Sequence, residues 1–246
     1  LSDISSSLIE DWMRDRYPNP ATQRSNLRNL SALFSWAVEE RFLAENPCNE
    51  VRPDELEKKR GGVEFLTVEE CRILLEACAE EDLRLLPFFA ISMFTGARPS
   101  EVDRLTFADI HEERHVVKGI QFAELVMNET KDTRTNVANR KRRVVDLPEN
   151  ALSWLELASP TYEAADRISP CKNYRNRFDR IKKRLGRWPS DALRHTFASY
   201  HYATYRDEAW LQALLGHESA QTLHNHYRGV ARPAMAERFW NLRPNT

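Results

Sequence analysis

The chain has 246 residues, 41% hydrophobic and 30% charged, a globular composition with material for one large domain or for a small and a medium one. No apolar run approaches the roughly 18–20 residues that a membrane helix needs, so no span is expected. Thirty-six Lys and Arg against 37 Asp and Glu leave a net charge of −1, which by itself gives no hint of a polyanionic partner.

The opening, LSDISSSLIEDW, carries neither an initiating Met nor a signal-peptide pattern and reads as a segment of a longer protein. In TQRSNLRNLSALFSWAVEERF, Leu27, Leu30, Phe34, Ala37 and Val38 recur at helical spacing. Proline cannot continue a helix, so this one is expected to end near Glu45-Asn46-Pro47. VRPDELEKKRGGVEF follows, polar and broken by Pro53, Gly61 and Gly62, and is the best linker candidate. These features divide the chain into a small helical domain at 1–52, a linker at 53–64 and a second domain at 65–246. Thr67 opens that domain with a T-V-E-E capping box ahead of CRILLEACA.

Cys71 and Cys78 lie two turns apart in a core stripe. With Cys48 and Cys171 they form no C-x-x-C pair and no metal-ligand spacing, so a reducing, intracellular compartment is expected. Helices through Phe94 and from Pro99 to about Thr106 give way to HVVKGI, AELVMNE and RRVVDLP. These runs are short, β-branched and separated by polar turns, as in a small antiparallel sheet. Helical periodicity returns at ALSWLEL and persists to the end. The predicted class is mainly α (α+β).

The charge is unevenly spread. From Lys131 to Arg194 there are sixteen Lys and Arg but only eight Asp and Glu, so a neutral total hides a basic half, and steering responds to the local patch.

Four short constellations stand out. In FTGARPSEV, Gly96 suits a left-handed helix terminus and Pro99 the first position of the next helix. Arg98 then sits at a junction suited to anions, within reach of Glu101; a purely structural Arg98–Glu101 pair explains the fragment equally well. The hairpin AELVMNETKDTRTNVANRKRRVVDLP has a long basic turn, with Lys131 at its start and Arg140, Lys141, Arg142 and Arg143 at its end. A turn lysine can swing into a ligand and donate a proton, although exposure is the commoner fate. In SDALRHTFASY, Ser190 is the expected N-cap, with Asp191 in the first turn at the positive end of the dipole and Arg194 one turn on. In LLGHESAQTLHNHYRG, Gly216 is expected to end a helix, leaving His217 just beyond it and Tyr227 ten residues later. His224 and His226 are assigned to solvent or packing.

Taken in order, TGARPSE, the ETK hairpin, ALRHTFASY and LLGHES…HYRG resemble the catalytic box of the tyrosine recombinases, the phage integrase family. The resemblance covers about residues 65–230. RNLSALFSWAVEERFLAENP looks like the last part of that family's helical (SAM-like) core-binding domain.

The resemblance implies a site-specific recombinase that cleaves and rejoins duplex DNA without metal or cofactor. Tyr227 would be the nucleophile and form a 3′-phosphotyrosine, which divides one hard displacement into two easier ones. Arg98 and Arg194 would clamp the phosphate, Lys131 or alternatively Lys141 would protonate the leaving 5′-oxygen, and His217 would bond the phosphate or the tyrosine oxygen. Asp191 departs from the family, which usually has histidine there. It is either a working base offset by Arg194, a helix-terminus residue with His217 sufficing, or the mark of an impaired site; the first two together are favoured. Backbone binding would use Arg140, Lys141, Arg142, Arg143 and, from KNYRNRFDRIKKRLGR, Lys172, Arg175, Lys182 and Lys183, whose helix would turn Phe178, Ile181 and Leu185 inward. The implied partners are double-stranded DNA and further copies of the chain, as a tetrameric synapse on DNA or a monomer in solution, in the cytoplasm beside the nucleoid. Strand cleavage and religation of the type IB topoisomerase kind, and a DNA-binding relative without catalysis, are the alternatives. The tail ARPAMAERFWNLRPNT, with Met235, Phe239 and Trp240, docks either on a neighbouring copy or on its own domain.

Overall fold

The structure is a computed structural model that describes residues 4–52, 63–117, 120–127, 130–131, 138–140, 143–159, 162–169, 174–216 and 231–245. The chain divides into two compact units, Leu1–Arg60 and Gly61–Thr246.

The first unit is built on α1 (Ser6–Arg16) and α2 (Pro20–Glu39). Side chains cap both N-termini: Ser5 accepts from the Leu8 N–H, and Asn19 from the Ala21 N–H with Pro20 at the first helical position. Ile9, Met13, Phe34, Cys48 and Val51 form its core, while Leu8, Trp12, Leu33, Trp36 and Phe42 remain exposed. Helix α2 stops well before the expected Pro47. Arg41 adopts φ 62°, the Phe42 N–H bonds the Ala37 carbonyl at 2.8 Å, and the Arg41 N–H bonds the Val38 carbonyl at 3.0 Å. These are the two bonds of a Schellman terminus, closed here by an arginine in place of the usual glycine. Asn46 then fastens the following loop to α2 through the Ser31 carbonyl and Ser35 Oγ, both at 2.9 Å.

The second unit is mainly helical with a small antiparallel sheet. Helix α3 (Val68–Glu81) opens with the expected capping box: Thr67 Oγ1 accepts from the Glu70 N–H and Glu70 Oε2 from the Thr67 N–H. Helix α4 (Leu86–Thr95) is buried at every position, as expected of a segment apolar all round. Helix α5 is a single turn, Pro99–Val102, shorter than expected, with Pro99 at its first position. The sheet follows in the order β1-β2-β5: β1 (Ile110–Val117), β2 (Ile120–Met127) and β5 (Arg143–Pro148), all antiparallel. Two shorter strands, β3 (Thr130–Lys131) and β4 (Ala138–Arg140), pair separately. The register sets Leu125 opposite Val145 and Ala123 opposite Leu147, all four fully buried. Side chains alternate along a strand, so the next pair, Glu124 and Asp146, shares the opposite face.

Among the described residues five further helices follow: α6 (Glu149–Ala158), α7 (Tyr174–Lys182), α8 (Ala192–Tyr205), α9 (Glu208–Leu215) and α10 (Pro233–Trp240). The tail packs on its own domain. Phe239 of α10 is fully buried, stacked on Tyr200 at 4.4 Å between ring centroids and set against Phe94 at 5.0 Å. Two further bonds hold it: Trp154 Nε1 donates to the Leu242 carbonyl at 3.2 Å and Asn150 Nδ2 to the Phe239 carbonyl at 3.3 Å. Cys71 and Cys78 are fully buried as expected, and burial pushes both thiols well above their ordinary range; Cys171 lies outside the described residues. Among the described residues, no helix is long and apolar enough to cross a membrane.

Candidate functional site

Three helix ends meet at one place. Helix α4 is closed by Gly96 at φ +67°, a conformation open to glycine at no steric cost. This reverses the chain tightly enough to present the Gly96 carbonyl to α8. Glu101, a turn beyond, has a side chain only 5% exposed; its Oε2 accepts from the Arg98 N–H at 2.8 Å and its Oε1 lies 3.6 Å from Arg98 Nη1. The Arg98–Glu101 pair expected from the sequence is therefore present, and it orients the Arg98 side chain.

Arg194, in the first turn of α8, is buried, at 8% exposure. Its Nη1 donates to the Gly96 carbonyl at 2.8 Å and its Nη2 to the Leu215 carbonyl at 2.7 Å. Arg98 Nη1 reaches the same Leu215 carbonyl at 3.5 Å. Leu215 is the last residue of α9, where carbonyls lack helical partners and the negative end of the helix dipole favours cations. Two arginines 96 positions apart thus converge on one carbonyl oxygen. Arg98 keeps 30% of its side chain exposed, so the pair joins a buried, fixed guanidinium to one that meets solvent.

Helix α8 does not begin as expected. Ser190 is not its cap. Asp191 occupies that position, exposed and in the left-handed conformation at φ 49°, and its side chain makes no capping hydrogen bond. The carboxylate thus stands at the positive end of the helix dipole without closing a capping hydrogen bond. Gly216 ends α9 at φ 61°, as expected. His217 and Tyr227, with His224 and His226, lie outside the described residues. Lys131 is described by its backbone alone, in β3 opposite Ala138, as are Arg140 in β4 opposite Thr130 and Arg143 in β5 opposite Met127. Lys141, Arg142 and Lys172 fall outside the described residues.

Helix α7 and the turn after it turn Ile181 into the core, with Phe178 and Leu185 packed against it. On their other side the cations fall into two sets. Arg177 makes a two-pronged pair with Asp82, Arg180 and Arg184 approach Glu81 at 3.7 and 3.1 Å, and Arg187 Nη2 donates to Glu70 Oε2 at 2.7 Å. These arginines fasten α7 and the segment after it to α3 and its C-cap, and Arg187 holds the Glu70 carboxyl below its usual range. Arg175 and Lys183 are exposed. Lys182 pairs with Asp179 at 2.8 Å and lies over the rings of Phe178 and Trp188.

Sequence reasoning missed the acidic partners on α3, which no local spacing announces. It also missed a polar cluster behind α9, where Asp146 of β5 accepts from His115 and from the Trp210 indole at 2.7 and 2.9 Å. Among the described residues, no group of three or more His, Cys, Asp or Glu side chains could hold a metal ion.

Residues 64–232 match the phage integrase family. The chain belongs to that family. Among its curated relatives is "Putative defective protein IntQ" of Escherichia coli (strain K12), 24% identical over 239 residues, with 84% of this chain and 59% of that protein covered. The chain therefore spans less than two thirds of that relative's length. Solved integrases share the fold. The Tn1549 transposon integrase in complex with circular intermediate DNA matches with a TM-score of 0.67 at 19% identity, covering 96% of this chain and 85% of that one. A lambda integrase dimer bound to a core site matches with a TM-score of 0.62 at 19% identity, covering 90% and 82%.

Proposed function

We propose that this integrase-family chain is the cleaving and rejoining part of a site-specific DNA recombinase, acting through a 3′-phosphotyrosine on Tyr227. The observation that carries the reading is the convergence of Arg98 and Arg194 on the Leu215 carbonyl. Two guanidinium groups gathered at a helix end suit a phosphate whose charge grows as it becomes pentacoordinate.

In the proposed step the Tyr227 phenol oxygen bonds to phosphorus as the bond from phosphorus to the 5′-oxygen breaks. The phenol proton passes to a base, Asp191 or His217, and the departing 5′-oxygen takes a proton from Lys131 or Lys141. The second step runs in reverse with a different 5′-hydroxyl. Arg175, Lys182 and Lys183, with Lys172 and the hairpin residues Arg140, Lys141, Arg142 and Arg143, are proposed to follow the DNA backbone. The assembly on DNA is proposed to be a tetramer of copies, and the compartment the cytoplasm beside the nucleoid.

A non-cleaving DNA-binding relative is the second reading, and it rests on Asp191, an exposed carboxylate three residues ahead of Arg194. A suicide substrate on a denaturing gel decides between them. A covalent adduct that disappears with Tyr227→Phe is expected; no adduct from the unsubstituted protein would leave the non-cleaving reading. Asp191→Ala should weaken cleavage far less than Tyr227→Phe, and equal abolition by both would make Asp191 catalytic. Strand exchange between two duplexes, as against relaxation of a supercoiled circle alone, separates recombinase from topoisomerase-like action.

A further inference from the structure

The Leu215 carbonyl can orient two arginines only if α9 itself is held in register. That helix has eight residues, just over two turns. Much of its packing is apolar, through Leu211, Leu214 and Leu215, and apolar contact is non-directional. A rotation of α9 by about 25° on its ~2.3 Å radius would carry a backbone atom about 1 Å sideways, and misplacement on that scale can cost about 100-fold in rate. Arg98 already reaches the carbonyl at 3.5 Å, the long limit of a hydrogen bond.

A directional anchor sits five residues before Leu215. Trp210 Nε1 donates to Asp146 Oδ2 at 2.9 Å, and the indole ring rests against His201 and Tyr205, at 4.7 and 4.6 Å between centroids. Asp146 leaves only 12% of its side chain exposed, and its other oxygen accepts from His115 Nε2 at 2.7 Å. Glu124 stands opposite Asp146 across the β2–β5 register and 3.7 Å from His115 Nδ1. The imidazole is thus set between two carboxylates on one face of the sheet. A largely buried carboxylate with both oxygens engaged fixes geometry in a way that the surrounding Phe122, Phe197 and Leu214 cannot.

We propose that Asp146, steadied by His115 and gripping the Trp210 indole, is a positioning residue that sets where α9 presents the Leu215 carbonyl to Arg98 and Arg194. The proposal rests on the cleavage reading given above, and its test separates the two. Trp210→Phe keeps the ring and removes the indole N–H; Asp146→Asn keeps the shape and removes the charge. In single-turnover adduct formation at saturating suicide substrate, each variant should slow about tenfold, the scale of one lost hydrogen bond to a charged group. Affinity for the same duplex should stay within about twofold, and the double variant should be no slower than the slower single, since both act through one bond. Unchanged rates, losses that follow DNA affinity, or multiplicative losses in the double variant would overturn the proposal. Should Asp146→Asn fail to fold, Trp210→Phe carries the test.

If the unsubstituted protein forms no adduct, the cleavage reading fails. The positioning claim is then decided by the ¹⁵N-resolved Nε–H signals of Arg98 and Arg194. These should move in Trp210→Phe and stay in place in Arg114→Ala, a variant at a surface pair with Glu149. Signals unmoved by Trp210→Phe would overturn it.

Discussion

At Gly96 the backbone turns through φ +67°, and an added Cβ would lie 2.5 Å from Phe197 Cδ1 and 2.8 Å from Leu215 Cδ2. The same residue lends its carbonyl to Arg194. Gly96→Ala therefore meets two costs together: the left-handed conformation, about 1 kcal/mol for a side-chain-bearing residue, and overpacking, typically about 1–3 kcal/mol. Relief by moving Leu215 would also shift the carbonyl that both arginines share. The expected outcome is a melting temperature lower by several degrees with adduct formation reduced beyond what unfolding explains. A variant that melts lower but cleaves at the normal rate would separate the turn from the arginine pair.

Among the elements, α7 shows how one basic stretch serves two ends. Arg177 answers Asp82, whose side chain is 7% exposed, whereas Lys183 faces solvent. Arg177→Ala leaves a buried acceptor short of its partner, at a cost of about 1–3 kcal/mol, and should lower the urea midpoint while barely changing the salt dependence of DNA binding. Lys183→Ala should leave the midpoint alone and flatten the slope of log affinity against log salt by about one. Identical behaviour of the two variants in both measurements would reject the division. The charge balance along the chain reveals the basic half but not this division, because the acids that neutralise it lie about a hundred positions earlier, on α3 and at its C-cap, Asp82. The boundaries of α2 and α8 were hidden for a related reason. Arg41 and Asp191 take left-handed backbone conformations that composition assigns to glycine or asparagine. The Thr67 box and the turns at Gly96 and Gly216 were legible because each is written within a few consecutive residues.

Across the whole molecule the second unit owes much to buried aromatic rings, and some of them carry hydroxyls. Burial pushes Tyr162 and Tyr205 up to about 12, whereas unfolded tyrosine titrates near ~10. A raised folded value means that the stabilisation is fully present below about pH 10 and is lost as pH rises through about 12. Urea midpoints should hold to about pH 10 and then fall, and less steeply in Tyr162→Phe; parallel curves for both proteins would exclude Tyr162 as a contributor. At this scale the fold class could be read from the periodicity of the segments, and the arginine pair only through the resemblance to the tyrosine recombinases. The His115–Asp146–Trp210 cluster could not, since its members come from a strand, a second strand and a helix with no periodic relation.

Helix α10 has one more consequence. Its Phe239 fills a slot between Tyr200 and Phe94, so the C-terminal segment acts as a keystone and not as a loose appendage. Withdrawing that ring alone would cost about 1.5–3 kcal/mol in apolar burial, before counting the hole left behind. Were copies to trade this segment, a one-way donation would leave an open socket somewhere. Only a closed circuit, in which every emptied socket receives an identical helix, would return the energy to near its starting level.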